Sequence, residues 1–360
     1  MTKKEVEQLD LLLIIGSPEI GGSELQLLKH GQEMQASGLR TKLLFLTLGS
    51  GNLIPKLQVS GLPYEVLTKS KSRSNLIRIF WGLLTNLIRN RPKIINSYLA
   101  ESILCVYLCC TILQRKTPHI GSIRGNFSNR NKGTEYLLKK AFKSLDLTLI
   151  NANYLSPLLV KRFKIENHKI KTISNGIEIN LPNYTILENT KAIYLANFID
   201  YKGHIRFLSE LSLHDYSFKI VFMGNGILLS EIREYIQNNG FQDQILIEAS
   251  TNSPTDIFRG CGFAIHPSLT EGLSNAIIEE LAYGLPVIAF NVGGNSDMAT
   301  PYRYLAKYYF DKKDDANMNK YIDAGLKIFP KDDYLPLLAI DHARDKNDIA
   351  FLLKKFEQLL

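Results

Sequence analysis

The chain has little of what would fix its class at a glance. Of its four cysteines, Cys105, Cys109 and Cys110 crowd one apolar segment and Cys261 stands far away. That spacing excludes a disulfide framework and reads as small buried hydrophobes in a reducing compartment. No stretch reaches the roughly 18 apolar residues of a spanning helix; the longest, Ser102 to Leu113, has the length of a buried helix. The seven histidines are scattered, without zinc spacing, so no metal site is expected. The absence of G-x-G-x-x-G removes the dinucleotide fingerprint. Near the N terminus Lys3, Lys4, Glu5 and Glu7 precede an apolar run of only Leu11 to Ile15, which predicts a strand rather than a secretory signal.

What is present points to two ordinary cores. With 360 residues, 45% hydrophobic and 22% charged, the chain is long and apolar enough for two domains. Apolar strand-length runs alternate with helical patterns, the mark of parallel α/β architecture. Strands are expected near Leu11–Ile15, Lys42–Leu46, Ile94–Tyr98, His119–Ile123, Leu147–Ile150 and Ile170–Ile173. A second set falls near Ala192–Leu195, Lys219–Met223, Ile245–Ile247, Gly262–His266, Val287–Phe290 and Tyr304–Ala306. The polar segment with Pro182, Asn183, Glu188 and Asn189 is the natural break. The expected domains are therefore 1–182 and 183–345, each a doubly wound α/β unit, with an amphipathic tail over 346–360.

Charge divides the chain the same way. Residues 1–180 hold 26 lysines and arginines against 12 acids, net +14, while the remainder holds 17 against 23, net −6. From Lys69 to Lys93 seven basic residues and no acid are interleaved with Leu76, Ile77, Ile79, Phe80, Trp81, Leu83, Leu84, Leu87 and Ile88. A basic helix with an apolar side packs that side on a sheet or lays it on an anionic membrane.

The densest motif is Pro267-Ser268-Leu269-Thr270-Glu271-Gly272-Leu273-Ser274-Asn275-Ala276-Ile277-Ile278-Glu279, followed by Gly284-Leu285-Pro286-Val287-Ile288-Ala289. It reads as strand, loop, short helix, turn and strand, with Ser274 as N-cap and Gly284 and Pro286 as stop signals. The loop delivers Glu271 to a helix start, where the N–H groups of Gly272, Leu273, Ser274 and Asn275 suit a polar or anionic ligand. On the helical wheel Ile277, Ile278, Leu281 and Ala282 form the apolar stripe, and Glu279 and Glu280 flank it as solvated charges.

This stretch resembles the donor-site motif of the family 4 (group 1) glycosyltransferases, retaining enzymes of the GT-B fold. The resemblance implies two Rossmann-like domains facing a cleft, with the first on the acceptor side and the second binding a nucleotide sugar. Glu271 would then hold hydroxyls of the donor sugar, and Glu279 the ribose. Other segments fit the same family. Gly21-Gly22-Ser23-Glu24, a tight turn when taken alone, is similar to its G-G-x-E loop, facing donor phosphates and acceptor. Ile173-Ser174-Asn175-Gly176-Ile177-Glu178 is similar to the turn that closes its first domain. Met223-Gly224-Asn225-Gly226 is similar to a glycine loop of the second. Ala196 to Gly203 is similar to the loop whose lysine neutralises the donor diphosphate, which gives that role to Lys202.

The chain also departs from the family pattern. Asn197 stands where an arginine is usual, and Arg206 is the candidate to supply that charge. Arg124, with Gly125, stands where a histidine is common, and would bind an acidic acceptor or phosphate. Asp297 matches the acid that usually follows the second glycine pair, and the tail beyond it diverges. The resemblance implies metal-independent, retaining transfer of a sugar from a UDP- or GDP-linked donor, with no further cofactor, to an acceptor hydroxyl. The acceptor would be a saccharide or lipid-linked intermediate in cell-surface polysaccharide or glycolipid synthesis, met at the cytoplasmic membrane face. Nucleic acid is not an expected partner. The alternatives are a transfer-inactive GT-B binding subunit, and an enzyme of the same fold that isomerises or hydrolyses the donor.

Overall fold

The computed structural model describes residues 8–69, 73–125, 131–176, 191–211, 218–248, 257–283, 285–290, 292–297, 316, 318–320 and 322–323. The chain separates into two units, Met1–Gly176 and Ile177–Leu360. The expected break near residue 182, the strand at 304–306 and the tail at 346–360 lie outside the described residues.

The first unit is built on a parallel sheet in the order β3-β2-β1-β4-β5-β6-β7. Its strands are β1 (Leu11–Ile15), β2 (Thr41–Phe45), β3 (Tyr64–Val66), β4 (Ile94–Tyr98), β5 (His119–Ile123), β6 (Leu147–Ile150) and β7 (Ile170–Thr172). All five residues of β1 are buried, which is why it reads as an unbroken apolar run. Leu11, Leu13 and Ile15 pack on one face with Leu27 and Leu28 of α1 (Gly22–Ala36). Leu12 and Ile14 pack on the other with Ile79, Leu83 and Leu87 of α3 (Arg73–Asn90) and with Val106 and Cys109 of α4 (Leu99–Ile112). The remaining helices of this unit are α2 (Ile54–Ser60), α5 (Lys132–Lys143) and α6 (Leu155–Phe163).

Every expected strand of this unit is present, and the sequence reading missed β3. Its three residues, Tyr-Glu-Val, are half-buried at the sheet edge and leave no apolar run to notice. Helix α3 both satisfies and exceeds expectation. Ile79, Leu83, Leu84 and Leu87 are buried, yet Ile77, Trp81 and Ile88 remain 63%, 59% and 49% exposed, a second apolar strip facing solvent, and Leu76 is 58% exposed at the N-terminal end of the packed face. The four cysteines are free thiols, with Cys109 and Cys261 buried. Burial pushes the Cys109 thiol up to about 12, so it behaves as a small hydrophobe.

The second unit holds the order β10-β9-β8-β11-β12, again all parallel. Its strands are β8 (Lys191–Leu195), β9 (Lys219–Met223), β10 (Ile245–Glu248), β11 (Phe263–His266) and β12 (Val287–Ala289). Helices α7 (His204–Leu211), α8 (Leu229–Asn238) and α9 (Asn275–Ala282) follow β8, β9 and β11. Ala192, Tyr194, Ile220 and Phe222 join Leu208 of α7 and Ile232 of α8 in one core. Ile193, Val221 and Ala264 join Phe258 and Tyr283 in the other. Both sheets are thus covered on both faces, and in each the strand order reverses once, between β1 and β4 and between β8 and β11. A parallel sheet opens a crevice beyond its carboxyl edge at such a point.

Candidate functional site

The reversal in the second unit falls where two loops converge. The loop after β8 runs through Asn197 to a single 3-10 turn, Asp200–Lys202, and the loop after β11 carries Glu271 to α9. Lys202 Nζ donates to Glu271 Oε1 at 2.6 Å, with side chains 15% and 6% exposed. Removing a carboxylate and an ammonium this far from water is costly, and only their pairing in good geometry offsets it. The backbone locks the loops together: Leu269 N–H donates to the Tyr201 carbonyl at 2.8 Å, and Gly294 N–H to the Glu271 carbonyl at 3.3 Å.

Beside this pair, Ser274 caps α9 by accepting the Ile277 N–H, so Glu271, Gly272 and Leu273 form the approach to a helix start. Glu279 sits half-buried on that helix. The glycine loop after β9 packs on the Lys202 loop from the other side. Phe198 N–H donates to the Asn225 carbonyl at 2.9 Å, and a Cβ on Gly224 would stand 2.0 Å from the Ala196 carbonyl oxygen. Only a glycine allows that approach.

The structure does not gather every expected donor-side residue. Asn197 is exposed, and Arg206, exposed on α7, makes neither a hydrogen bond nor an ion pair with Lys202 or Glu271. One expectation is overturned: Glu280, read as a solvated helix charge, is fully buried and bound to His266 Nε2 at 2.6 Å through Oε2. The wheel places Glu280 correctly on a flank, but that flank packs against the end of β11, which a single helix cannot reveal.

In the first unit the reversal point carries a second polar cluster. Gly21 is the extended N-cap of α1 and Gly22 its first residue. Glu24 folds its carboxylate back over Gly21, where a Cβ would stand 2.5 Å from Oε2. Burial pushes this carboxyl up to about 7, with a smaller contribution from the neighbouring Glu19 charge. Arg124, at the end of β5, lies 5.4 Å from the Tyr98 ring centroid and donates from Nη1 to Asn175 Oδ1 at 2.5 Å. His30 Nδ1 meets the Tyr98 hydroxyl at 2.9 Å, and burial with the nearby Arg124 charge lowers its pKa. Gln26 clasps Gly176 by both its amide groups, at 2.7 and 3.2 Å.

Tyr98, His30 and Gln26 are absent from the sequence reading. The available signal for Tyr98 is its place at a strand end, where Leu99 at φ +68° turns the chain directly into α4.

Comparison with known proteins bears on the family and the fold. The model for glycosyl transferases group 1 matches residues 180–333, and that for Glycosyltransferase Family 4 matches residues 20–181. Protein CapJ of Staphylococcus aureus is 29% identical over 202 residues, 53% of this chain and 49% of that protein. A Campylobacter jejuni N-acetylgalactosamine-N,N'-diacetylbacillosaminyl-diphospho-undecaprenol 4-alpha-N-acetylgalactosaminyltransferase is 26% identical, over 68% of this chain and 66% of its own length. The chain thus spans between half and two thirds of these curated relatives. Among solved structures, Anabaena Alr3699/HepE in complex with UDP-glucose superposes with a TM-score of 0.69 at 16% identity, covering 81% of this chain and 83% of that one. The apo lipopolysaccharide outer core galactosyltransferase WaaB gives 0.60 at 15% identity, over 80% and 82%. These likenesses show the fold: two Rossmann-like domains of the GT-B type.

Proposed function

Because the chain belongs to the group 1 glycosyltransferases, we propose that it is a retaining enzyme that moves a sugar from a nucleoside-diphosphate sugar to an acceptor hydroxyl. The observation that carries this is the buried Lys202–Glu271 pair at the β8/β11 reversal. Breaking a sugar–diphosphate bond builds negative charge on the leaving phosphate and positive charge on the anomeric carbon. Catalysis by positioning and fixed charge suits that transition state. Lys202 is the fixed cation for the leaving diphosphate, and the N-terminal end of α9 adds its backbone dipoles. With the donor bound, Glu271 turns from Lys202 to the sugar hydroxyls and Glu279 takes the ribose. One such preorganised charge contributes on the order of a hundredfold to a thousandfold in rate. In this reading the charge comes from the protein, and no metal ion is required.

Acceptor recognition is assigned to the first unit, with Arg124, Gly21 and Glu24 as its residues. An acceptor bearing phosphate fits the net positive charge of that half and the fixed guanidinium. Helix α3 supports a membrane-facing role. Its exposed strip of Ile77, Trp81 and Ile88 lies beside Arg78 and Arg89, with Arg91 just past the helix end, a composition that suits an anionic lipid surface. Among the described residues no helix is long and apolar enough to cross a membrane. Relatives named for capsular polysaccharide synthesis, such as Staphylococcus aureus CapH, support a place in cell-surface polysaccharide assembly.

The test is transfer from a panel of UDP- and GDP-sugars to saccharide and polyprenyl-diphosphate acceptors, with the product's anomeric configuration read by NMR. The expected product keeps the donor's configuration and forms equally in excess EDTA. Inversion would overturn the retaining assignment, and loss of activity in EDTA the metal-independent one.

A further inference from the structure

Below the Lys202–Glu271 pair lies a group of buried polar side chains that the proposed chemistry does not use. Tyr194, on β8, is fully buried, and its hydroxyl donates to the Lys202 carbonyl and lies 3.4 Å from Ser268 Oγ in the loop after β11. One side chain therefore holds both loops. Next to it, His266 at the end of β11 meets the Tyr194 ring edge-on, with centroids 5.4 Å apart. His266 Nε2 sits between Glu280 Oε2 at 2.6 Å and Oε1 at 2.9 Å. Both members of that pair are at most 1% exposed. His204 stacks on the opposite side of Tyr194, centroids 4.4 Å apart.

Energy alone does not account for the His266–Glu280 pair. The cost of taking two such groups from water can exceed what their attraction returns, and apolar residues of the same shape often serve a core as well. The cost is visible in the buried His266 Nδ1, which has no hydrogen-bond partner among the described residues. What the pair supplies is register. Glu280 lies one turn past the start of α9, and His266 ends the strand that leads into the Glu271 loop. Bonding them fixes where α9 begins relative to β11, and hence where Glu271 stands. Tyr194 does the same for Lys202 by gripping its backbone carbonyl.

We infer that Tyr194, His266 and Glu280 form a buried positioning scaffold that holds the two loops so that Lys202 and Glu271 meet. They are positioning residues: all three are buried, and they act through the loops that carry Lys202 and Glu271. The inference builds on the proposed function for its catalytic consequence, but its geometric claim stands on the Lys202–Glu271 contact alone.

The experiment uses the full chain and reads Lys202 directly. A paired, buried ammonium acylates slowly, so the rate at which a small acylating reagent modifies Lys202, measured by peptide mass spectrometry, reports whether the contact is held. Exposed Lys219 on β9 serves as the internal reference. Tyr194→Phe is expected to raise Lys202 labelling by about tenfold relative to Lys219, and to lower kcat by a similar factor with KM nearly unchanged, as expected when misplaced groups lose transition-state contacts.

Glu280→Gln, which keeps an acceptor for His266, should stay near wild type, whereas Glu280→Leu should match Tyr194→Phe. If Glu280→Leu does not fold, the contrast between Tyr194→Phe and Glu280→Gln still decides. Unchanged Lys202 labelling in folded Tyr194→Phe would overturn the scaffold. A wild-type protein that turns over no nucleotide sugar would instead count against the proposed function, with the labelling result standing on its own.

Discussion

Equivalent points of two similar sheets are furnished here in opposite ways. In the second unit, the groups at the strand-order reversal are bonded to one another: Lys202 pairs with Glu271 and His266 bonds Glu280, in loops stitched by backbone bonds. In the first unit, Arg124 is held by a ring and an amide, and Glu24 folds over a glycine turn with its pKa raised by burial. The second unit is preorganised around fixed charges, as suits a ligand common to every turnover. The first gives neither Arg124 nor Glu24 an opposite charge among the described residues, an arrangement completed by whatever charged group enters. That contrast is consistent with the proposed roles, donor binding in the second unit and acceptor binding in the first.

The sharpest way to break the comparison is to remove one cation from each unit. Lys202→Ala removes the cation paired with a buried carboxylate and should destabilise its unit by about 3 kcal/mol or more. Arg124→Ala loses only neutral partners and should cost about 1 kcal/mol. Chemical denaturation of both variants checks this, and equal losses would erase the distinction. Next in size is Gly224→Ala. Its new methyl would meet the Ala196 backbone oxygen, which cannot move aside cheaply. A loss of about 1–3 kcal/mol is expected, together with faster amide exchange through the Lys202 loop.

A smaller effect follows from Glu24. Its carboxyl titrates near 7 in the folded chain against an ordinary 4.5, so the unfolded chain ionises first as pH rises. The stability it confers is full below about 4.5, declines as pH rises, and is gone above about 7, a change on the order of 3 kcal/mol. Unfolding followed through Trp81, the chain's one tryptophan and a resident of this unit, should show that decline. Glu24→Gln should flatten it, and an equal slope in the variant would assign the pH dependence elsewhere. The smallest effect concerns α3. Neutralising Arg89 and Arg91 to Gln should weaken binding to phosphatidylglycerol vesicles by at least about tenfold, with no change on neutral vesicles. Equal binding would leave the exposed apolar strip without a lipid role.

Much of this architecture is legible in the chain because parallel strands buried on both faces read as plain apolar runs; β1, β4, β5, β6 and β9 begin and end where the sequence says. Glu271 and Ser274 were accessible for a different reason: they sit between a strand end and a helix cap that the sequence marks, whereas Lys202 was singled out only through the resemblance of its loop to that of the glycosyltransferases. What stayed hidden depends on partners from other elements. Nothing within α9 shows that Glu280 meets a histidine fourteen residues earlier. The outer strip of α3 could not be separated from its packed face before both neighbours were known. Tyr98 and Tyr194 look like ordinary strand residues, and only the folded sheets show their hydroxyls reaching His30 and the Lys202 carbonyl.

The central claim is that Lys202 and Glu271 hold an activated sugar at the reversal of the second sheet. Calorimetric titration of wild type and Lys202→Gln with a panel of UDP- and GDP-sugars tests it most directly. The account predicts that one of these donors binds wild type and binds the variant about a hundredfold more weakly, the loss of a charge-assisted contact to a diphosphate. A folded wild-type protein that binds none of them, or a variant that binds as tightly, would contradict it.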